Sequence, residues 1–156
     1  MELSKKRILV IGGSGALGAE LIRQLRAKGA VVLATATTND SAAQIPAGAE
    51  VRLINDYRNP ESIETLTTYL NSTGELDGII NASGVVAFGP ASELSPETIK
   101  DLFAINASGP MQLISGLFPA LKASAVSGND PFVLNIAGVV AELPLQGLAA
   151  YSASKT

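Results

Sequence analysis

The chain has 156 residues, of which 47% are hydrophobic, so it is long enough to bury the core of one domain, and two domains are not expected. Its 11 basic and 14 acidic residues give a net charge of −3, and the longest basic run is Lys5-Lys6-Arg7, which argues against nucleic acid as a partner. Cysteine and histidine are absent, which excludes disulfides, thiolate metal sites and the Ser-His-Asp triad; we expect no metal site.

The first third of the chain alternates short apolar runs with a helical pattern. Arg7–Ile11 predicts a buried strand, and a glycine-rich turn leads from it into a helix over Ala16–Lys28 that Gly29 ends. Val31–Thr35 predicts the second strand. A polar loop then leads to the third strand, Val51–Ile54.

The middle of the chain carries a clear helix-start signal. Asn59-Pro60-Glu61 combines an N-cap residue, a proline in the first turn and an acid in the first turn, which predicts a helix that continues to about Leu70. Asp77–Asn81 predicts the fourth strand.

The same start signal returns at Ser95-Pro96-Glu97. It predicts a long helix towards Lys122 that is interrupted or bent at Gly109-Pro110 and at Pro119. Pro131–Ile136 predicts the fifth strand, and a loop then leads into a last helix. Strands separated by helices imply parallel βαβ units with right-handed crossovers. The sequence therefore predicts an α/β fold: a Rossmann-like, doubly wound parallel sheet in a three-layer αβα arrangement, formed by one domain over residues 1–156.

The turn after the first strand reads Gly12-Gly13-Ser14-Gly15-Ala16-Leu17-Gly18. Glycines let the backbone turn tightly and approach a pyrophosphate, while the free N–H groups of the following helix favour its negative charge. The position in the first strand–turn–helix favours nucleotide binding over a merely structural turn. We take Gly12, Ser14, Gly15, Leu17 and Gly18 as cofactor-binding candidates.

Polar residues follow the third and fourth strands. Asp56 is able to accept a hydrogen bond from an adenine amino group, although an ordinary solvated acid at a strand end explains it equally well. Asn81-Ala82-Ser83-Gly84 ends the fourth strand at the sheet edge where such folds bind ligands, and it also makes sense as a plain turn.

Asn106 lies on the same helical stripe as Leu102, Phe103, Pro110 and Leu113. A buried amide on such a stripe needs hydrogen-bond partners. Asn106 therefore either caps a bent helix or serves a site.

Tyr151 and Lys155 are four residues apart, which places them on one face of the last helix. A nearby ammonium lowers the pKa of a phenol, so the two side chains form a possible acid–base pair. The same spacing is common on solvated helix faces, and that interpretation also remains open.

Taken in order, these segments resemble the short-chain dehydrogenase/reductase family along the whole chain. Gly12–Gly18 is similar to the cofactor loop of the family, Asp56 to its adenine-side acid, and Asn81–Gly84 to its Asn-Asn-Ala-Gly segment. Asn106, Tyr151 and Lys155 match three of its four catalytic residues.

The resemblance implies an NAD(P)(H)-dependent oxidoreductase that transfers hydride between a nicotinamide cofactor and a small carbonyl or alcohol substrate. Tyr151 would exchange a proton with the substrate oxygen, Lys155 would lower the tyrosine pKa and hold the nicotinamide ribose, and Asn106 would position a water. It implies a homodimer or homotetramer for the full-length protein. The sequence shows no signal-peptide core and no membrane-spanning run, so we expect a cytoplasmic protein.

The segment Thr35-Ala36-Thr37-Thr38 resembles bacterial 3-oxoacyl-carrier-protein reductases and lacks the acid that would bind a ribose 2′-OH. Small hydroxyl side chains leave room for a 2′-phosphate, although the basic residue that often binds it is replaced by Gly15. We therefore favour NADP(H) over NAD(H), with Thr37 among the cofactor-binding candidates.

Two departures from the family favour a second hypothesis. Gly138 stands where the family has its catalytic serine, and a water and Ser83 are the two candidates to replace that hydroxyl. Members of the family continue beyond the position of Thr156, so we expect the chain to be the N-terminal part of a longer protein. The alternative function is a catalytically weak dinucleotide-binding sensor or assembly subunit.

Overall fold

A computed structural model of the chain describes residues 2–53, 56–143 and 145–156. Its described strands form one five-stranded sheet in the order β3-β2-β1-β4-β5, and each neighbouring pair is parallel. The strands are β1 (Arg7–Ile11), β2 (Val31–Ala36), β3 (Glu50–Leu53), β4 (Gly78–Asn81) and β5 (Phe132–Asn135). The chain order reverses at β1, which lies between β2 and β4.

Seven α-helices connect or follow these strands within the described ranges. They are α1 (Ala16–Ala27), α2 (Asn39–Ala43), α3 (Pro60–Ser72), α4 (Pro96–Phe103), α5 (Gly109–Gly116), α6 (Phe118–Val126) and α7 (Ala149–Lys155). A π-helical turn, Ala104–Ser108, joins α4 to α5, and a 3₁₀ turn, Val139–Ala141, precedes α7. In the part of the chain that the structure describes, no helix is long and apolar enough to cross a membrane.

The ends of the helices follow from local chemistry. Gly29 adopts φ +80° directly after α1, a conformation that glycine reaches without strain. The Asn59 side chain accepts a hydrogen bond from the Glu61 amide at the start of α3. The Ser95 side chain does the same for Thr98 at the start of α4. Both caps confirm the helix starts predicted from the sequence.

The core has two parts, one on each face of the sheet. Leu9, Ile11 and Leu33 pack with Leu66 of α3 and Leu113 of α5 on one face. On the other face, the alternate strand residues Ile8, Val10 and Val32 pack with Ile22 of α1. Because successive residues of β1 point to opposite faces and both faces are covered, the strand is apolar from Ile8 to Ile11. The three-layer αβα arrangement predicted from the sequence is confirmed.

The structure differs from the sequence predictions in two places. The polar loop after β2 contains the short helix α2, which begins at a capping box formed by Thr38 and Ser41. The interruptions predicted at Gly109-Pro110 and Pro119 are confirmed, because a π turn precedes the first and a new helix begins beside the second, but the last of these helices ends at Val126 and not near Lys122. Ile54, the predicted last residue of the third strand, lies outside the described residues.

Candidate active site

A cavity of about 450 Å³ opens at the carboxyl ends of β1, β2 and β4. This is the crevice where the strand order reverses, and open α/β sheets bind ligands at such a point. Its volume lies within the usual range of small-molecule pockets. Its walls include the sequence-predicted residues Gly12, Ser14, Gly15, Thr37, Asp56, Ala82, Ser83 and Gly84.

The glycine turn is tightly packed against the segment after β4 and against α1. Gly12 has φ +79°, and a Cβ atom there would lie 2.9 Å from the backbone N and Cα of Ser83. A methyl group on Gly18 would overlap the carbonyl oxygen of Gly12. The two glycines therefore permit a close backbone approach that a side chain would prevent. Gly18 packs against the backbone of Gly12 and does not line the cavity. Leu17, which is half-exposed, does not line it either.

The N-terminus of α1 has the features of an anion-binding site. Gly15 occupies the N-cap position with no side-chain hydrogen bond, and the first turn contains no acidic residue. The first N–H groups of a helix lack partners within the helix, and the helix dipole adds positive potential there. A pyrophosphate fits this chemistry.

Two buried hydroxyl groups lie below the glycine turn. The Gly12 amide donates to Thr35 Oγ1 over 3.1 Å, and Thr35 Oγ1 lies 3.1 Å from the Tyr57 hydroxyl. The backbone oxygen of Thr35 accepts from the Gly13 amide over 3.2 Å. Burial raises the pKa of Tyr57 to about 12, against the opposing effect of its hydrogen bond with Thr35, so the phenol stays protonated.

Asp56 is part of an ion-paired cluster and is not an isolated solvated acid. Its carboxylate accepts hydrogen bonds from the amide of Arg58 and from Arg58 Nε, both over 2.8 Å. These side-chain and backbone hydrogen bonds with Arg58 lower the pKa of Asp56. Arg58 also donates from Nη1 to Asp101 over 2.7 Å. Asp56 and Arg58 both line the 450 Å³ cavity, so this ion pair forms part of its wall.

The segment after β4 is held by Asn81, which is buried at the end of the strand. Asn81 Oδ1 accepts from the Ser83 amide (3.2 Å) and from the Ser83 hydroxyl (2.7 Å), while Asn81 Nδ2 donates to Asn135 Oδ1 (3.3 Å). The amide of Asn81 thus serves the turn. The Ser83 proton is directed to Asn81 in this arrangement, which weakens the idea that Ser83 replaces the family's catalytic serine.

Asn106 lies on the π turn and is 7% exposed. Its Nδ2 donates to the carbonyl oxygen of Val85 (2.9 Å) and to Ser154 Oγ (2.8 Å), and its Oδ1 accepts from the Val85 amide (2.8 Å). The side chain thus ties the segment after β4 to α7. The predicted stripe does not hold for Phe103, which is 39% exposed, because the π turn changes the helical phase at this point.

Tyr151 and Lys155 line a second cavity, of about 230 Å³. Lys155 Nζ donates to the carbonyl oxygen of Ser83 over 3.0 Å, and burial lowers the pKa of Lys155. The residues Ala82–Val85 line both this cavity and the larger one. The cavity that holds the tyrosine–lysine pair therefore adjoins the cavity of the glycine turn.

Gly138 lies beside the tyrosine. A Cβ atom built on Gly138 would be 3.7 Å from the Tyr151 hydroxyl oxygen and 3.7 Å from Lys155 Cγ. A side chain at this position would therefore lie beside the Tyr151 hydroxyl, but glycine provides no donor there. Among the described residues, no group of three His, Cys, Asp or Glu side chains is arranged to hold a metal ion.

Sequence reasoning did not assign four residues that the structure brings to this region: Tyr57, Arg58, Val85 and Ser154. Arg58 follows Asp56 by two positions, and Ser154 precedes Lys155 in the last helix, so proximity in sequence was the available signal. Val85 acts through its backbone, which no side-chain pattern reveals.

A family model described as short chain dehydrogenase matches residues 6–156. The chain belongs to the short-chain dehydrogenase family, and the resemblance seen in its motifs is confirmed.

Three relatives illustrate this similarity. The chain is 28% identical over 153 residues to the cyclic-di-GMP-binding biofilm dispersal mediator protein of Escherichia coli K12, covering 97% of this chain and 61% of that protein. It is 27% identical over 159 residues to the 3-oxoacyl-(acyl-carrier-protein) reductase FabG of the same strain, covering 99% and 64%. A solved short-chain dehydrogenase from Streptomyces avermitilis superimposes with a TM-score of 0.83 at 29% identity, covering 97% and 56%. The chain spans less than two thirds of the length of each.

Proposed function

We propose that the chain forms the dinucleotide-binding domain of an NAD(P)(H)-dependent oxidoreductase, the N-terminal part of a longer protein, which acts on a carbonyl or alcohol substrate. One observation carries the proposal. Tyr151 and Lys155 line a cavity that shares the wall Ala82–Val85 with the cavity of the glycine turn. A cofactor bound along this wall would extend from the helix N-terminus to the acid–base pair.

The residues present fit a dinucleotide. The uncapped N-terminus of α1 suits a pyrophosphate, and Asp56 offers a carboxylate to an adenine amino group at the far wall. When bound, the nicotinamide supplies or accepts the hydride. The family resemblance assigns Leu17, Gly18 and Asn81 to the same binding role.

The chain's own residues handle the proton. Tyr151 Oη gives a proton to the substrate oxygen during reduction and takes it back during oxidation. Lys155 lies on the same helix face, and its Nζ donates to the Ser83 carbonyl oxygen at the wall that the two cavities share, where a nicotinamide ribose would lie. Asn106 fixes the relative position of α7 and the segment after β4, and Oδ1 keeps a lone pair for a water.

We favour NADP(H) over NAD(H). Thr37 and Thr38 line the cavity after β2, where an acid would select a free ribose 2′-OH. Arg58, the only basic residue among the described residues of this wall, supplies a positive charge. Its pairing with Asp56 and Asp101 reduces the local positive potential, so the preference for a 2′-phosphate is modest.

The family and the exposed surface support further proposals about partners and location. We propose a small-molecule substrate, a cytoplasmic location, and a homodimer or homotetramer of the full-length protein, with neither nucleic acid nor a membrane as partner. Exposed apolar side chains along α4 to α6 support association: Phe103, Met111, Phe118 and Val126.

Gly138 favours a second candidate function, a catalytically weak dinucleotide-binding sensor or assembly subunit. Without a hydroxyl donor beside Tyr151, the substrate oxygen loses one preorganised hydrogen bond. Such a protein would retain cofactor binding and turn over slowly.

One assay separates the two functions. The full-length protein is titrated with NADPH and NADH, and hydride transfer is then followed at the nicotinamide absorbance with a panel of ketones and thioesters. An oxidoreductase gives turnover that Tyr151→Phe abolishes while cofactor affinity is kept. Binding without turnover on any substrate supports the sensor, and absence of binding contradicts both.

A further inference from the structure

The buried hydroxyl groups of Thr35 and Tyr57 have no role in the chemistry described above. Thr35 is 1% exposed and Tyr57 is 7% exposed. The neighbouring strand side chains on this face of the sheet are apolar; they are Leu9, Ile11 and Leu33. A valine at position 35 would fill nearly the same volume, so the hydroxyl at this point needs an explanation of its own.

We propose that Thr35 and Tyr57 are positioning residues for the dinucleotide-binding turn. The hydroxyl pair fixes the backbone amide of Gly12 and thereby holds the turn in the conformation that receives the pyrophosphate. This inference rests on the proposed cofactor function, because it identifies the residues that shape its binding loop.

The hydrogen bonds support this role. Thr35 accepts hydrogen bonds from two successive amides of the turn. The Gly12 amide donates to Thr35 Oγ1 (3.1 Å), and the Gly13 amide donates to the Thr35 carbonyl oxygen (3.2 Å). A backbone amide that faces the interior requires such a partner. Gly12 has φ +79° and is the first residue after β1, so the turn begins at the residue whose amide Thr35 holds. Thr35 therefore fixes the first step of the turn from below.

Tyr57 holds the Thr35 side chain in place. In the described part of the chain, the Tyr57 hydroxyl has one hydrogen bond, to Thr35. The other side of Tyr57 lies against α5, because a Cβ atom built on Gly109 would come within 2.9 Å of Tyr57 Cβ and of its carbonyl oxygen. The ring belongs to the core formed with α3 and α5. Tyr57 thus connects the turn to a rigid part of the domain.

The arrangement predicts graded effects on affinity. Without the Thr35 hydroxyl, the free protein relaxes the turn until the Gly12 amide bonds to water, and cofactor binding has to reverse that change. Thr35→Val should weaken binding of the preferred dinucleotide by at least about fivefold, from the typical cost of an unsatisfied neutral donor. Tyr57→Phe leaves the Gly12 bond in place and should weaken binding by only about two- to threefold. Thr35→Ser keeps the hydroxyl and should stay within about twofold of the wild type.

The experiment measures dissociation constants for NADPH and NADH by titration of the full-length protein, at a temperature well below unfolding. Thr67→Val is the matched control, because Thr67 is also a buried threonine (7% exposed) but bonds to Glu64 within α3, away from the cavity. It should alter thermal stability without altering affinity. Unfolding temperatures of all variants separate loss of fold from loss of binding, and Thr35→Ser and Tyr57→Phe test the inference should Thr35→Val fail to fold.

The outcomes are distinct. If the wild type binds no dinucleotide, the proposed function itself fails. If the wild type binds and Thr35→Val, Tyr57→Phe and Thr67→Val all keep its affinity, the hydroxyl pair is merely structural and the inference is wrong. If Thr35→Ser loses as much affinity as Thr35→Val, the inference is also contradicted, because the effect would then come from loss of the threonine methyl group and not of the hydroxyl.

Discussion

Restoring a hydroxyl at Gly138 is the sharpest test of the catalytic arrangement. Gly138 has φ −118° and ψ 142°, an extended conformation that serine adopts without strain. The new Cβ would lie 3.7 Å from the Tyr151 hydroxyl oxygen. A serine Oγ is bonded to that Cβ at about 1.4 Å, so it is able to reach the same substrate oxygen that Tyr151 contacts. Gly138→Ser therefore adds a second donor to the substrate oxygen.

The expected gain follows from these contacts. One oxyanion donor typically contributes about 10²–10³ in rate. The Cβ would approach Val140 Cγ2 to 3.3 Å, so the valine has to move by a few tenths of an ångström, and the new hydroxyl will not reach ideal geometry. We expect kcat of the full-length protein to rise at least about tenfold, or about 1.4 kcal/mol of barrier.

The assay is hydride transfer at the nicotinamide absorbance, with Gly138→Ala as the matched control because it adds the same Cβ without the oxygen. Gly138→Ala should not exceed the wild type. Tyr151→Phe in the serine background should remove the gain, because the phenolic proton is the one transferred. A serine variant no faster than the alanine variant would refute the reasoning and indicate that water or another group supplies the hydrogen bond.

Three further predictions concern the turn, cofactor choice and acid stability. Gly18→Ala should weaken dinucleotide binding by at least about tenfold with little change in far-UV circular dichroism, because its methyl overlaps the Gly12 carbonyl oxygen; unchanged affinity contradicts the close packing. Asp101→Asn should raise NADPH affinity relative to NADH about two- to fivefold, because it frees Arg58 from one carboxylate; an unchanged ratio in titrations places the 2′-phosphate away from Arg58. Burial of Asp77 opposes its ionisation, but hydrogen bonds from the Arg7 amide, Ser124 and Lys6 outweigh it and lower its pKa. Its contribution to stability is therefore complete above pH 3.8 and is lost as the pH falls through the lowered pKa. Urea unfolding should show Asp77→Asn destabilised by about 1–3 kcal/mol at pH 7, with a difference that shrinks in acid; an equal difference at pH 7 and pH 2 would show that the carboxylate charge is not involved.

Local signals in the sequence predict much of the fold. The strand Arg7–Ile11 is observed with the predicted bounds, and the caps Asn59 and Ser95 begin the predicted helices. These signals depend on a few adjacent residues, such as an apolar run or an N-cap followed by proline. The helix α2 was missed because its five residues, Asn39–Ala43, are mostly polar or small and none is buried.

The site was predictable as a set of residues but not as a set of contacts. The sequence places Asn106 on a buried stripe, yet its partners are Val85, 21 positions away, and Ser154, 48 positions away. The pairing of Tyr57 with Thr35 likewise depends on how β2 packs beside the segment after β3. Such contacts follow from sheet order and from the depth of a side chain in the core, which periodicity alone does not determine.

The central place of β1 in the sheet has a consequence for how the chain folds as it is synthesised. Leu9 pairs with Leu33, 24 positions later, on one side and with Ile79, 70 positions later, on the other. The pairing of β1 with β2, which flank the glycine turn and α1, therefore closes a short loop. The other edge of β1 stays unpaired until β4, much later in the chain, has been synthesised. During that interval a nascent chain exposes an unpaired apolar strand edge, which is the kind of surface that chaperones shield and that aggregates.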